Sequence, residues 1–414
     1  MITCLKVLAT ILSIFMVFSA SGYSETNLMN FDSIFQRMLS KQYVNKTWVK
    51  PLNNKSQEQV KDVKVTLISD VMTGGAIDGN WGFSAFVEID VDGTESNKKY
   101  ILFDTGYKKK TLTNIKALIV EGRELDENGN VVKPGKLPDF SKFGTIENPV
   151  KIDVVLSHWH DDHIEGFADI KNAYPNAFGK VHVGDKFFLA RSKKDKNGNW
   201  QESGQNQEST IKKWYNTIDG ANFESDFVVH KSFDQIFPEV AGIWLTGPVK
   251  RQSFETNYPV EKFRYKDPSI GKGGTYVWDE VPDDMAFIAN TKKGLIVVSG
   301  CGHSGLVNIL DWAYINTSVK DVFAILGGLH MRSSSREDMA KTSAALSKYK
   351  VQYLVGSHCT GTTRISALQN KITGLDSSHA YIGTAGLSMQ VTRKAVIKVA
   401  EPWASNKAFP AHNH

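Results

Sequence analysis

Three histidines and two aspartates lie within six positions, 158–163, one residue after the apolar run "VVL". Residues two apart in an extended segment point to the same side, so His158 and His160 can face one point. The chain then turns and can bring Asp162 and His163 to a second point nearby. Imidazole and carboxylate groups bind zinc, iron and manganese. The pattern H-x-H-x-D-H therefore predicts two divalent transition-metal ions, with zinc as the expected metal and iron or manganese as alternatives.

Other residues that could bind a metal follow later strand-like runs. Cys301 and His303 come after "LIVVS", His330 after "AILGG", and His358 after "LVGS". Open α/β sheets place their sites at the carboxyl ends of strands, where polar groups can project without entering the core. We therefore expect these side chains near the first motif.

The elements that must position these residues begin with three strands, "VKVTLIS", "GFSAFVEID" and "KKYILFDTG". From "IDVVLS" onward, strands alternate with helical stretches, and the alternation resumes after a long polar segment. Strands followed by β–α alternation indicate sheets packed between helices, which is an α/β fold.

The N-terminus has the layout of a secretory signal peptide. Lys6 precedes an apolar run from Val7 to Phe18, and "SASG" offers small residues for cleavage. The run is too short to be a stable membrane anchor. We therefore expect a signal peptide over 1–22 and export to the periplasm or the medium, with no stable membrane anchor in the mature form.

Export would leave two cysteines, Cys301 and Cys359, which do not make a disulfide framework. We expect both to be free thiols, held apart by metal ions at the ends of their strands.

The composition argues against a nucleic-acid partner. The net charge is only +5 over 414 residues, and the basic residues are scattered. Nucleic-acid-binding proteins concentrate positive charge on one face or segment. The expected partner is a small-molecule substrate, while the oligomeric state stays open.

Several stretches together resemble the metallo-β-lactamase superfamily. They are "ILFDTG", "HWHDDH", "LTGPVKR", "PDDMAFI", "GLIVVSGCGHSGLVNIL", "ILGGLH" and "GSHCTG". Within the superfamily, the sequence looks most like the 7,8-dihydropterin-6-methyl-4-(β-D-ribofuranosyl)aminobenzene-5′-phosphate synthase-like branch. The resemblance covers roughly residues 62–395. It implies a four-layer αβ/βα sandwich with metals at one sheet edge.

The resemblance implies a division of the chain. A metallo-β-lactamase-like domain would span 62–400, with a substrate-covering insertion at 186–280. An N-terminal extension at 23–61 would precede this domain, and a polar tail at 401–414 would follow it.

The resemblance also implies a role for each residue of the motifs. His158 and His160 would bind the first metal, and Asp162, His163 and His358 would bind the second. Cys301 stands where many members carry a bridging aspartate. The stretch "TGPVKRQ" lacks the histidine that many members have there, so His303 is the expected replacement. Asp104 of "ILFDTG" would lie beside the metals.

The expected reaction is hydrolysis. A hydroxide held by the two metals would attack an ester, lactone or phosphodiester-type bond of a small anionic substrate. Asp162 or Asp104 would orient the water or accept its proton. His330, Lys250 and Arg251 are the expected substrate-binding residues, and helix amides after "GCGHSG" could receive an anion.

Three alternatives remain open on the sequence. They are a synthase-like transferase of the same branch, a di-iron redox protein, and a non-catalytic binding protein that kept the fold. We favour the hydrolase because export does not suit cytosolic cofactor biosynthesis. The complete metal motif argues against a non-catalytic protein.

Overall fold

The computed structural model describes residues 51–73, 77–203, 207–255, 263–271, 274–332, 334–369, 372 and 379–391. The expected signal peptide at 1–22, most of the N-terminal extension and the tail at 401–414 lie outside these residues. In the part of the chain that is described, no helix combines the length and the apolar character needed to cross a bilayer.

The strands of the described residues are numbered in chain order. They are β1 (Asp62–Ser69), β2 (Ser84–Asp90), β3 (Lys98–Phe103), β4 (Glu124–Leu125), β5 (Val131–Lys133), β6 (Ile152–Leu156), β7 (Phe178–Gly184), β8 (Arg191–Lys194), β9 (Trp200–Ser203), β10 (Phe227–His230), β11 (Asp234–Gln235), β12 (Ile243–Leu245), β13 (Phe263–Asp267), β14 (Thr275–Trp278), β15 (Ala286–Thr291), β16 (Gly294–Ser299), β17 (Val322–Gly328), β18 (Tyr353–Ser357), β19 (Ala380–Ile382) and β20 (Ser388–Val391).

The α-helices of the same residues are numbered in the same way. They are α1 (Lys109–Val120), α2 (Asp161–Ile164), α3 (Phe167–Ala173), α4 (Glu208–Tyr215), α5 (Phe223–Asp226), α6 (Leu306–Thr317), α7 (Arg336–Lys348) and α8 (Thr362–Gln369).

Two seven-stranded sheets form the centre of the structure. The first has the order β10-β7-β6-β3-β2-β1-β20, and the second has the order β11-β12-β15-β16-β17-β18-β19. In the first sheet the run from β3 to β10 is parallel, and in the second the run from β16 to β19 is parallel. The remaining pairings in these sheets are antiparallel.

Apolar side chains pack the sheets and helices into four layers. A central core between the two sheets receives alternate residues of β1, such as Val63, Val65 and Leu67. This follows from the two-residue period of a strand. The other face of the first sheet packs on α1 and α3, and that of the second packs on α6 and α7. The expected four-layer αβ/βα sandwich is confirmed.

Helix α6 illustrates how the sequence specifies an outer layer. Leu306, Ile309, Leu310 and Ala313 recur at helical spacing and share one hydrophobic cluster with strands of the second sheet. The helix ends at Thr317, and Ser318 after it adopts a left-handed backbone conformation.

The segment 186–280, which we expected to be one covering insertion, is divided in the structure. Strands β8, β9, β13 and β14 form a separate four-stranded sheet. Strands β10, β11 and β12 instead extend the two main sheets, and all three residues of β12 are buried. The polar stretch "SKKDKNGNWQES" forms the β8–β9 hairpin of the small sheet.

A pair of buried histidines joins β7 to β10. His182 Nδ1 lies 2.9 Å from His230 Nε2, and His182 Nε2 lies 3.3 Å from Asp153 Oδ2. Burial, with a smaller contribution from His182, lowers the pKa of His230 to about 4. The folded protein therefore keeps His230 neutral at a pH where the unfolded chain takes up a proton.

We predict that this pair makes stability depend on pH. The contribution of His230 to the free energy of unfolding is complete above about pH 6.5. It is lost as the pH falls toward 4, by up to about 3 kcal/mol. The difference in unfolding free energy between wild type and His230→Gln should shrink over that interval in urea titrations. His379→Gln, at a partly exposed histidine, is the control. A constant difference for His230→Gln would contradict the prediction.

Candidate metal centre

Polar residues of five strand ends meet at one edge of the sandwich. Each group follows the last residue of its strand, and the groups come from both sheets. They are Asp104 after β3, residues 157–163 after β6, Cys301 and His303 after β16, His330 after β17, and His358 after β18.

The first cluster contains His158, His160 and His303. One potential ligand atom from each lies within 4.8 Å of the others. His158 Nε2 lies 3.1 Å from His160 Nδ1. The His303 ring centroid is 4.7 Å from that of His158 and 4.8 Å from that of His160. His303 therefore groups with the two histidines that we expected at the first metal.

The second cluster contains Asp162, His163 and His358, whose potential ligand atoms also lie within 4.8 Å of one another. Asp162 Oδ2 is 3.1 Å from His358 Nε2. Cys301 connects the clusters because its Sγ is 3.2 Å from His163 Nε2, and it groups with His158 and His163 as well as with His303 and His330.

Unpartnered nitrogen atoms show that this arrangement suits metal ions. His160 Nε2, His358 Nδ1 and both ring nitrogens of His303 are buried and have no hydrogen-bond partner among the described residues. An unsatisfied buried polar group costs about 1–3 kcal/mol. Convergent imidazoles with free nitrogens beside a thiol and a carboxylate are a donor set that fits zinc or a related ion.

Burial keeps the first cluster in the form that binds metals. It lowers the pKa of His160 to about 3 and the pKa values of His158 and His303 well below their usual range. Neutral imidazole is the metal-binding form. In the second cluster burial lowers the pKa of His358, but the hydrogen bond and charge of Asp162 outweigh it and raise that pKa to about 9.

Asp104 organises two of the histidines from behind the cluster. Its Oδ2 accepts hydrogen bonds from His163 Nδ1 at 2.6 Å and from Ser157 Oγ at 2.7 Å, while Oδ1 accepts from the Ser157 amide at 2.7 Å. Because the Ser157 hydroxyl donates to Asp104, it accepts from His158 Nδ1 at 2.9 Å. Both histidines therefore carry a proton on Nδ1 and direct Nε2 toward the cluster.

This geometry favours a positioning role for Asp104 over the role in proton transfer that we expected. Its side chain is fully buried, and its oxygens are occupied by Ser157 and His163, so it does not face the cluster as a proton acceptor. Gly300 makes the close packing possible, because a Cβ there would lie 2.1 Å from Ser157 Oγ and 2.5 Å from Asp104 Oδ2. Asp162 is the carboxylate that faces the histidines.

Two adjacent aspartates hold the two histidine loops. Asp283 Oδ2 accepts from the Trp159 amide at 2.9 Å, and Asp284 Oδ2 accepts from the Ser304 amide at 2.9 Å. The buried Arg191 guanidinium donates to Asp283 Oδ1 at 2.7 Å. Sequence reasoning missed this role, although two carboxylates in "PDDMAFI" beside a buried strand were a signal.

The expected basic pair does not lie free at the site. Arg251 donates to the Glu280 carbonyl and to the His303 carbonyl, the latter at 3.2 Å, so it supports the His303 loop. Lys250 lies over the Trp312 ring, with Nζ 5.4 Å from its centroid.

The start of α6, where we expected an anion, is already occupied. Glu255 Oε2 accepts from the Val307 amide at 2.7 Å, so the chain supplies its own carboxylate there. Glu255 and Val307 are 52 positions apart, so no local sequence pattern indicated this contact.

Backbone strain concentrates at the site. Asp104, His330 and His358 all have positive φ, at 56°, 47° and 49°. A non-glycine residue in this region costs about 1–3 kcal/mol and is typical of functional sites. The His358 amide donates to the buried Asp70 at 3.0 Å, which holds that turn in place.

The chain is similar to proteins of known sequence and of known structure. No protein-family model matches the chain. The sequence is 27% identical over 296 residues to 7,8-dihydropterin-6-methyl-4-(β-D-ribofuranosyl)-aminobenzene-5′-phosphate synthase of Methanocaldococcus jannaschii, covering 68% of this chain and 81% of that protein. It is also 29% identical over 300 residues to an uncharacterized protein of the same organism, covering 71% of this chain and 90% of that protein.

A solved structure is similar over most of the chain. It is Tm1679, described as a metal-dependent hydrolase of the β-lactamase superfamily. The TM-score is 0.54 at 20% sequence identity, and the match covers 80% of this chain and 99% of that chain. At this identity the similarity establishes the fold.

We predict that Asp104→Asn lowers zinc affinity by about 10- to 100-fold, because an amide cannot accept hydrogen bonds on both sides and fix both imidazoles. Competition with a chromophoric chelator measures the affinity, and circular dichroism checks the fold. Asp153→Asn is the matched control, since Asp153 contacts His182 and lies outside the clusters. Equal affinities for the two variants would refute the role of Asp104.

Proposed function

We propose, from the premise that this chain has the metallo-β-lactamase fold, that it is an exported metal-dependent hydrolase. Its substrates would be small anionic esters, lactones or phosphodiesters. The observation that carries the proposal is the convergence of two ligand sets whose buried ring nitrogens have no protein partner among the described residues. A merely structural polar loop would satisfy those nitrogens internally.

Two divalent ions, with zinc favoured, would be held by His158, His160 and His303 on one side and by Asp162, His163 and His358 on the other. Cys301 lies between the two sets. Bound ions would supply Lewis acidity and lower the pKa of a water molecule to about 7.

Asp162 is the carboxylate best suited to orient a water molecule. Burial raises its pKa, but the charge of His163 and the hydrogen bond with His358 outweigh this effect and hold the pKa well below its usual range. The carboxylate therefore stays ionised at neutral pH. Its side chain keeps partial solvent contact, with a relative exposure of 17%, so it can orient a water molecule beside the histidines.

Aromatic side chains border the clusters on two sides. Phe263 of the small sheet has its ring centroid 5.3 Å from that of His160, and Trp81 has its centroid 5.6 Å from that of His358. Both are partly exposed. His330, partly exposed as well, lies with its ring centroid 4.4 Å from that of His303. These groups support a site for a small substrate with both apolar and anionic parts.

A synthase-like transferase is the second candidate. The sequence similarity to the dihydropterin ribofuranosylaminobenzene phosphate synthase favours it. Such a reaction would use the same ions to bind a phosphorylated substrate. Assaying the zinc-loaded protein with chromogenic phosphodiesters, esters and lactones, and separately with a dihydropterin and a ribofuranosylaminobenzene phosphate, distinguishes the two activities.

We predict about two transition-metal ions per chain in protein purified without chelator. The reason is that two groups of three potential ligand residues converge at the strand ends. Elemental analysis by mass spectrometry measures the stoichiometry. A folded protein that retains no metal and takes up neither zinc, manganese nor iron would eliminate the proposal.

We predict that His160→Ala and His163→Ala each lower turnover of the best panel substrate at least about 100-fold, since each removes a ligand from one set. Both residues follow a strand end, so we expect circular dichroism spectra close to wild type. His379→Ala, which contacts the Tyr353 ring, is the control for histidine removal. Turnover near wild type in either ligand variant would show that the assignment is wrong.

A further inference from the structure

Cys301 and Cys359 are closer together than their strands suggest. They follow β16 and β18, which are separated by β17. Strands two apart in a sheet are about 10 Å from each other. Nevertheless, the two Sγ atoms and a ring nitrogen of His358 all lie within 4.8 Å of one another. Both cysteines are free thiols, and their sulfur atoms lie closer together than we expected for strand ends separated by metal ions.

Gly328, at the end of the intervening strand, explains this proximity. A Cβ on Gly328 would lie 2.1 Å from the Gly300 carbonyl oxygen, 3.0 Å from Cys301 Cα and 3.0 Å from Cys359 Sγ. Any other residue would therefore fill the space across which the two cysteines approach. The absence of this side chain lets thiols from non-adjacent strands meet.

The two thiols differ in accessibility and in their contacts. Cys301 is 4% exposed, and its Sγ lies 3.2 Å from His163 Nε2 inside the ligand cluster. Cys359 is partly exposed, and its Sγ accepts a hydrogen bond from the His330 amide at 3.3 Å. A small oxidant can therefore reach Cys359 first, with Cys301 close behind it.

We propose that Cys301 and Cys359 form a redox-active thiol pair that closes to a disulfide when no metal occupies Cys301. The oxidant is a low-molecular-weight disulfide. The Cys359 thiolate attacks one of its sulfur atoms, forms a mixed disulfide and releases the first small thiol. Cys301 then attacks Cys359 Sγ and releases the second. Two electrons and two protons pass from the protein to the oxidant.

Oxidation and metal binding exclude each other in this scheme. A sulfur atom in a disulfide is no longer a thiolate, so Cys301 would leave the ligand group that it forms with His158 and His163. An ion bound through Cys301 would in turn block the second exchange step. Formation of the disulfide does not depend on the hydrolytic reaction, whereas protection by metal rests on the metal centre proposed above.

The test uses the full chain carrying Cys4→Ser, so that only the pair can react. Metal-free protein is incubated with glutathione disulfide, and thiol titration and peptide mass spectrometry follow the reaction. We expect loss of both thiols, a Cys301–Cys359 cross-link without a retained glutathione, and recovery with dithiothreitol. Prior loading with zinc should slow the loss at least about tenfold.

Two variants identify the steps. Cys301→Ser should accumulate a glutathione adduct on Cys359. Cys359→Ser should leave Cys301 as an unreacted thiol, because its burial keeps glutathione disulfide away from it. A stable adduct on Cys359 without a cross-link in metal-free protein would overturn the pair. A cross-link that forms equally fast with zinc bound would overturn the exclusion. Neither readout uses turnover, so a failure of the hydrolase proposal is recognised separately.

Discussion

The buried carboxylate of Asp104 is the constraint on which the site depends. It fixes His163 directly and His158 through Ser157, so one side chain sets the tautomer of a ligand in each half of the cluster. The arrangement requires β3 and β6 to be adjacent and parallel, because Asp104 and Ser157 each follow the end of one of these strands. The order of the strands therefore affects how tightly the site would bind a metal.

The polar edge also depends on the apolar layers beneath it. Positive φ at Asp104, His330 and His358 costs about 1–3 kcal/mol each, and unpartnered ring nitrogens add to this. Such strain persists only where the surroundings determine the conformation. Here two sheets with buried strands provide that support, and Asp70 binds the amide of the strained His358. Asp283 and Asp284 hold the loops at Trp159 and Ser304.

The sequence predicted the layers and most of the cluster because both depend on local patterns. Short apolar runs indicate β3, β6, β16 and β18, and the residues that follow strand ends meet at one edge. The bonds that organise the site are long-range. Asp104 and Ser157 are 53 positions apart, and Trp159 and Asp283 are 124 apart. A local pattern cannot show which residue a carboxylate contacts. We therefore expected Asp104 to take part in proton transfer and the start of α6 to bind an anion.

The candidate ligands come from both sheets, so a bound metal would stabilise the whole sandwich. His158, His160, Asp162 and His163 follow the first sheet, whereas Cys301, His303 and His358 follow the second. Ions bound between them would join the two sheets at an edge where several buried ring nitrogens have no hydrogen-bond partner among the described residues. A ligand that binds only the folded state stabilises it in proportion to the logarithm of its concentration over its dissociation constant. The centre would therefore link the stability of the sandwich to metal supply, and the proposed Cys301–Cys359 pair would place that link under redox control.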